Sequence, residues 1–196
     1  MAIEPATDPR FPHAAPPPTK PRWRNDLIFF GIALGVVLLD QFTKILVRRS
    51  LEYGEVWPED GVLLAVGDIT VRIIHVTNSG AAFGILQGQT TFLIVTSLLG
   101  LAAILLYYVY PPMDHGLVRI ALGMQLGGAA GNLLDRARFG EVTDFIDVGS
   151  FPTFNVADSA ITVSIITVLF FFAMQELETD KKAGSPDPAR ADFRHD

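Results

Sequence analysis

LIFFGIALGVVLLDQFTKILV, residues 27–47, is an apolar run long enough to cross a bilayer, which takes about 20 helical residues, and it carries Asp40 and Lys44 inside it. Three further stretches reach spanning length: Thr91 to Tyr110, Leu117 to Leu134 and Val156 to Met174. The third has Arg119 and a polar cluster crowding its ends. Hydrophobic residues make up 49% of the 196, the mean hydropathy is +0.35, and the apolar residues come in blocks. A soluble fold does not absorb that pattern, because so short a chain has too little polar surface to cover four such helices. The fold expected is an all-α membrane protein, a four-transmembrane-helix bundle.

Residues 48–90, between the first two spans, form a loop too long to be a plain connector. Within it Val62 to Val66 and Ile69 to Val76 are rich in β-branched residues around Gly67-Asp68, which predicts a hairpin and hence a small extramembrane β element. Pro111-Pro112 marks a short turn between the second and third spans. Residues 1–26 are proline-rich (PHAAPPPTKP) and residues 176–196 are charged; both bury too little apolar surface to offset the cost of ordering and read as disordered tails around a membrane domain at 27–175.

Lys20, Arg22 and Arg24 ahead of the first run suggest a secretory leader. That run is too long for a leader's apolar segment and ends in Arg48-Arg49 without a small-residue cleavage site, so it reads as a retained span. Four spans put both termini on one side, and basic residues decide which. Arg10, Lys20, Arg22, Arg24, Arg119, Lys181, Lys182, Arg190 and Arg194 fall on one side, against Arg48, Arg49, Arg72, Arg136 and Arg138 on the other. Both tails are therefore expected in the cytoplasm and the loop of residues 48–90 on the outer face. The net charge of -6 comes largely from acids in tails and loops, and no nucleic-acid partner is expected. The absence of cysteine excludes disulfides, thiol nucleophiles and cysteine metal sites.

Ionisable groups at membrane depth are costly and mark working sites. On the third span Gly123, Gly127 and Gly131 recur every four residues, which lets a neighbouring backbone approach. Gln125, Asn132 and Arg136 share one face with Gly128 between them, a polar stripe that must point into the bundle as interhelical glue or as a site. On the fourth, Asn155 precedes the helix and Asp158 follows three residues later, an N-cap with a first-turn acid, and Thr162 continues that face. Capping leaves unexplained a second acid, Asp144, in the short stretch EVTDFID, read as a loop able to fold back over the helix mouth. Two carboxylates brought together in a partly desolvated site share one proton, and such a pair can activate water and protonate a leaving amine. Asp135, Asp147 and Glu141 compete for the role, and spacing alone does not choose among them.

Asp40 and Lys44, at i and i+4, suit a helical ion pair that also meets polar groups of neighbouring helices. Asn78 before Ser79-Gly80 reads as a turn and His75 as a strand residue, with no metal-ligand spacing around it. Ser79 and Ser159 lack a nucleophile setting.

Together DQFTK (40–44), NSGAAFG (78–84), GGAAGNLLDR (127–136), VTDFID (142–147) and FNVADSAI (154–161) closely resemble the motifs of bacterial lipoprotein signal peptidase, signal peptidase II, in order, spacing and number of spans from residue 27 to about 175. The resemblance implies an aspartyl endopeptidase of the plasma membrane that removes signal peptides from diacylglyceryl-modified prolipoproteins, cutting before the lipidated cysteine. It places the catalytic aspartates on Asp144 and Asp158, which selects Asp144 over Asp147. Supporting polar residues fall on Asn132, Arg136 and Asn155, and Asp40, Lys44 and Asn78 are matched positions of structural or substrate-binding use. A monomer is expected, whose partners are a lipid-modified precursor and membrane lipid, with no cofactor and no metal. The rival expectations are a small proton-coupled transporter, titrating on Asp40, and an inactive scaffold that binds another helix through the glycine face.

Overall fold

The computed structural model describes residues 22–59, 62–81, 85–110 and 115–183. The chain runs α1 (Arg22–Ser50), β1 (Val56–Trp57), β2 (Leu64–Val66), β3 (Ile69–Asn78), α2 (Thr90–Val109), α3 (Gly116–Phe139), β4 (Val142–Val148), β5 (Phe151–Phe154) and α4 (Val156–Ala183). All four helices are long and apolar enough to span a membrane. The two outer helices run past the boundaries read from hydropathy, α1 from Arg22 and α4 to Ala183. Hydropathy does not register Glu and Lys in QELETDKKA, yet both are good helix formers, so the start of the stretch read as a tail is helical. Residues 1–21 and 184–196 of the expected tails, the Pro111-Pro112 turn and Ala82 to Gly84 of NSGAAFG lie outside the described residues.

α3 is the central helix, packed against α1, α2 and α4, and its glycines are the reason. A Cβ on Gly123 would lie 2.8 Å from the Phe29 carbonyl oxygen, one on Gly127 2.6 Å from that of Ala33, and one on Gly128 2.6 Å from that of Ala157. Gly123 and Gly127 thus seat α1, and Gly128 seats α4 on the other side. Between helices in lipid, where tails are as apolar as leucine, such close backbone contact supplies the dispersion energy that the hydrophobic effect does not. The opposite faces carry large exposed apolar side chains, among them Leu34, Leu38 and Phe42 on α1, Leu99 and Leu106 on α2, and Leu169 and Phe170 on α4. In water such patches would drive aggregation; in a bilayer they meet acyl chains.

β3 is the axis of a five-stranded antiparallel sheet, pairing with β1, β2 and β4, while β5 pairs with β4 and forms an edge. The expected hairpin is β2–β3: Val66 pairs with Ile69 across Gly67-Asp68, and Gly67 takes φ +60 to close the two-residue turn. EVTDFID is a correction, because it is no loop but strand β4, with Val76 opposite Asp144 and Asn78 opposite Val142. Val142 through Phe145 are all buried, so the alternation that betrays a half-exposed strand is missing. The β3–β4 pairing ties the α1–α2 and α3–α4 connections together at one end of the bundle. The opposite end is closed by an apolar cluster of Phe29, Val118, Leu122 and Phe171, with Tyr108 stacked on Phe29.

The glycine contacts yield a paired expectation. Gly127→Ala should lower the Tm of the detergent-solubilised protein by the overpacking cost of about 1–3 kcal/mol. Gly35→Ala, whose Cβ meets nothing within 4 Å, should not lower it. Equal melting of the two variants would refute close α1–α3 packing.

Candidate active site

At the sheet end the bundle core turns polar. Lys44 Nζ of α1 lies 2.9 Å from Asp40 Oδ2 and 3.0 Å from Asp135 Oδ2, and all three side chains have no solvent exposure. Buried charges persist only when paired and hydrogen-bonded, and here every partner is supplied. Asp40 Oδ1 accepts the Ala157 N–H at 3.0 Å, and Asp135 Oδ2 accepts the Thr143 N–H at 3.2 Å. Gln41 Nε2 donates to both carboxylates, at 3.1 Å each, and Arg48 adds a second cation 3.8 Å from Asp135 while its Nη1 donates to Thr143 Oγ1 at 2.7 Å. Gly131 makes room, since a Cβ there would sit 2.6 Å from Asp40 Oδ2. The two acids flanking Lys44 therefore each hold the peptide N–H immediately before one of a second pair of acids, Asp144 and Asp158.

Three asparagines surround that second pair, and each has its oxygen claimed by a group that can only donate. Lys44 Nζ donates to Asn132 Oδ1 at 2.9 Å, the Asp158 N–H to Asn155 Oδ1 at 3.0 Å, and the Gly80 N–H to Asn78 Oδ1 at 2.9 Å. The amide nitrogens must then point the other way, as donors. Asn132 Nδ2 donates to Asp158 Oδ1 at 2.8 Å, Asn155 Nδ2 to Asp144 Oδ1 at 2.7 Å, and Asn78 Nδ2 to Asp144 Oδ2 at 3.1 Å. Asn155 N–H completes the shell on Asp158 Oδ2 at 3.2 Å, so Asn155 and Asp158 form a reciprocal capping box at the start of α4. Asn155 Nδ2 also lies 3.1 Å from Asn132 Oδ1, which joins the two acids through a pair of carboxamides.

Asp144 and Asp158 are the acids that line a cavity of about 860 Å³, together with Asn78, Asn132, Arg136 and Thr162. Phe151, Phe154, Ile161 and Val163 give it an apolar side along β5 and α4. The competing acids lie elsewhere: Asp135 is locked to Lys44, Asp147 pairs with Arg72 at 2.6 Å, and Glu141 does not line the cavity. Burial pushes the Asp144 carboxyl up to about 6, and the negative charge of Asp158 adds to the rise. The Asn78 and Asn155 hydrogen bonds and the Lys44 charge oppose it. An ionised carboxylate can take a proton and a protonated carboxyl can deliver one, so two acids lining one cavity bring both kinds of group to the same space.

All eight site residues expected from the sequence fall in or beside this network. Arg136 touches neither acid; its Nη2 donates to the Gly80 carbonyl at 2.9 Å and braces the turn that follows Asn78 at the end of β3. Gln125, of the same stripe, is half-buried and does not line the cavity. His75 lies in β3 with Nδ1 against the Leu51 carbonyl at 2.9 Å, and the Ser159 hydroxyl is engaged by the Asn155 carbonyl. Asp40, the acid a transporter would titrate, is sealed between Lys44 and the first turn of α4. Gln41, Arg48 and Thr143 were not anticipated; the available signal was a carboxamide and a cation at membrane depth beside Asp40 and Lys44, and a hydroxyl beside Asp144.

A sequence model described as signal peptidase (SPase) II matches residues 32–174. A lipoprotein signal peptidase of Dehalococcoides mccartyi is 42% identical over 150 residues, covering 74% of this chain and 89% of its own length. That of Geobacillus kaustophilus is 41% identical over 157 residues, covering 76% and 97%. Among solved structures, a bacterial membrane enzyme determined by the in meso method at 2.3 Å resolution superposes with a TM-score of 0.67 at 29% identity, over 81% of this chain and 92% of that one.

The raised Asp144 carboxyl has a signed consequence for stability. It binds its proton more tightly in the folded protein than in the unfolded chain. Its stabilising contribution is therefore complete below an ordinary carboxyl's range, near pH 4, and is lost as pH rises through about 6. The stability of Asp144→Asn, read as its Tm, should gain on that of wild type across that window, by on the order of 3 kcal/mol between pH 4 and neutral pH. A gap that does not change between those pH values would contradict the buried, acid-facing position of Asp144.

Proposed function

Because the chain belongs to the signal peptidase II family of membrane peptidases, we propose that it cleaves signal peptides from diacylglyceryl-modified prolipoproteins just before the lipidated cysteine, using Asp144 and Asp158 as a water-activating pair. The observation that carries this reading is the cavity in which these two acids face the same space, each oxygen met by a donor whose direction is fixed from behind. Asp158 sits in the first turn of α4, where the helix dipole favours an anion. Asp144 keeps the proton. A water between them loses its proton to Asp158 as its oxygen attacks the scissile carbonyl, and Asp144 protonates the carbonyl oxygen. The resulting diol collapses as the amine leaves, taking the proton held on Asp158, and Asp144 recovers its own. Proton transfers of this kind contribute about 10²–10⁴-fold each.

A substrate helix with two acyl chains reaches such a site sideways through lipid, which suits a cavity whose wall at α4 and β5 is apolar. The chain acts as a monomer in the plasma membrane, with both termini in the cytoplasm and the sheet on the outer face. Basic residues favour that orientation. Arg48, which counts against it, is bound to Asp135 and Thr143 and owes its place to the site.

Asp144→Asn and Asp158→Asn, each assayed on a lipidated precursor, should lose at least about 10³-fold in kcat, and substantial cleavage by either would sink the mechanism. For wild type, kcat/KM should decline as pH rises through about 6, where the pair gives up its shared proton. Asn78→Ala removes a donor that favours the ionised Asp144 and should move that decline to higher pH. A pH profile that shifts downward or stays in place would show that Asn78 does not act on the pair.

A further inference from the structure

Lys44 has no solvent exposure and does not line the cavity, so it cannot touch substrate. Yet it reaches the site through one atom, Asn132 Oδ1, at 2.9 Å. A carboxamide has nearly the same shape in its two orientations, so packing alone does not decide which end of Asn132 faces Asp158. A lysine can only donate. With Lys44 on one side and the Asn155 amide nitrogen, 3.1 Å away, on the same oxygen, the Asn132 nitrogen has one direction left, onto Asp158 Oδ1. Turned over, the amide would set oxygen against carboxylate oxygen and nitrogen against ammonium.

We propose that Lys44 is a positioning residue of the peptidase reaction, holding the Asn132 amide so that its nitrogen is presented to Asp158. The proposal rests on the reading of Asp144 and Asp158 as the reacting pair. Its geometric support extends to the two acids that hold Lys44 in place. Asp40 fixes the Ala157 N–H and Asp135 the Thr143 N–H, one residue before Asp158 and Asp144 respectively. One ammonium thus stands at the junction of the two chain segments whose relative placement the reaction needs, and a third segment, Asn132 on α3, takes its direction from the same atom.

The test is a double-mutant cycle on a lipidated precursor, read as kcat and KM separately. Lys44→Met should lower kcat on the order of 10²-fold, the cost of a misplaced reacting group, with KM unchanged. In an Asn132→Ala background the same substitution should cost little more, because the amide that Lys44 directs is already gone. Additive losses, or a lower Tm with kcat per folded enzyme unaltered, would overturn the proposal. Since Lys44→Met strands two buried acids, the cycle is repeated with Asp135→Asn throughout, which lowers the buried negative charge and keeps an oxygen for the Thr143 N–H. Failure of that charge-balanced set to fold also overturns it, because the lysine's part is then structural. Asp158→Asn, run alongside, separates the two failures. Cleavage retained there removes the reacting pair itself, whereas cleavage lost there together with additive Lys44 and Asn132 effects removes only the positioning role.

Discussion

One ammonium group between two carboxylates, all three out of contact with water, ties the molecule together. Removing one partner from a buried ion pair costs about 3–5 kcal/mol, because the remaining charge is left uncompensated. Here the three charges come from α1 and α3, and their remaining lone pairs reach the first turn of α4 and the start of β4. The glycine seams serve that cluster, since Gly131 admits Asp40 only because it lacks a side chain. Close helix packing and buried charge are thus one arrangement: α1 must lie against α3 for the lysine to find both acids.

The site then follows from donors and acceptors more than from shape. Each of the three asparagines is held by an obligate donor at its oxygen, so the hydrogen-bond polarity around Asp144 and Asp158 is set without any contribution from substrate. Dipoles fixed in this way before any ligand arrives need no reorganisation afterwards, which is where preorganised sites in general gain most. They also temper the cost of placing two acids side by side, since the Asn78 and Asn155 donors oppose the rise that burial imposes on Asp144.

Much of this could be read from the chain because the relevant patterns are local. The four helices announce themselves by apolar length, the α4 cap by Asn155 and Asp158 three residues apart, and the Asp40–Lys44 pair by its helical spacing. The Gly67-Asp68 turn gave β2 and β3. What stayed hidden depends on contacts distant in sequence. β4 pairs with a strand some seventy residues earlier and is buried on both faces, so neither alternation nor turn residues mark it. Asp135 could not be told from the acids that line the cavity until its partner Lys44 was placed beside it in space. Arg136 looked like a neighbour of the acids, and only the path of the chain after β3 brings the Gly80 carbonyl under its guanidinium.

β5 is one edge of the sheet, and its second residue is Pro152, which has no N–H to offer. An open edge normally invites a strand from another molecule, and proline interrupts that invitation. In a crowded membrane, where copies of the chain share one plane and collide often, this edge of the sheet is therefore a poorer template for zipping one molecule to the next. A single imino acid thus removes one backbone donor from the border of the sheet that lines the cavity.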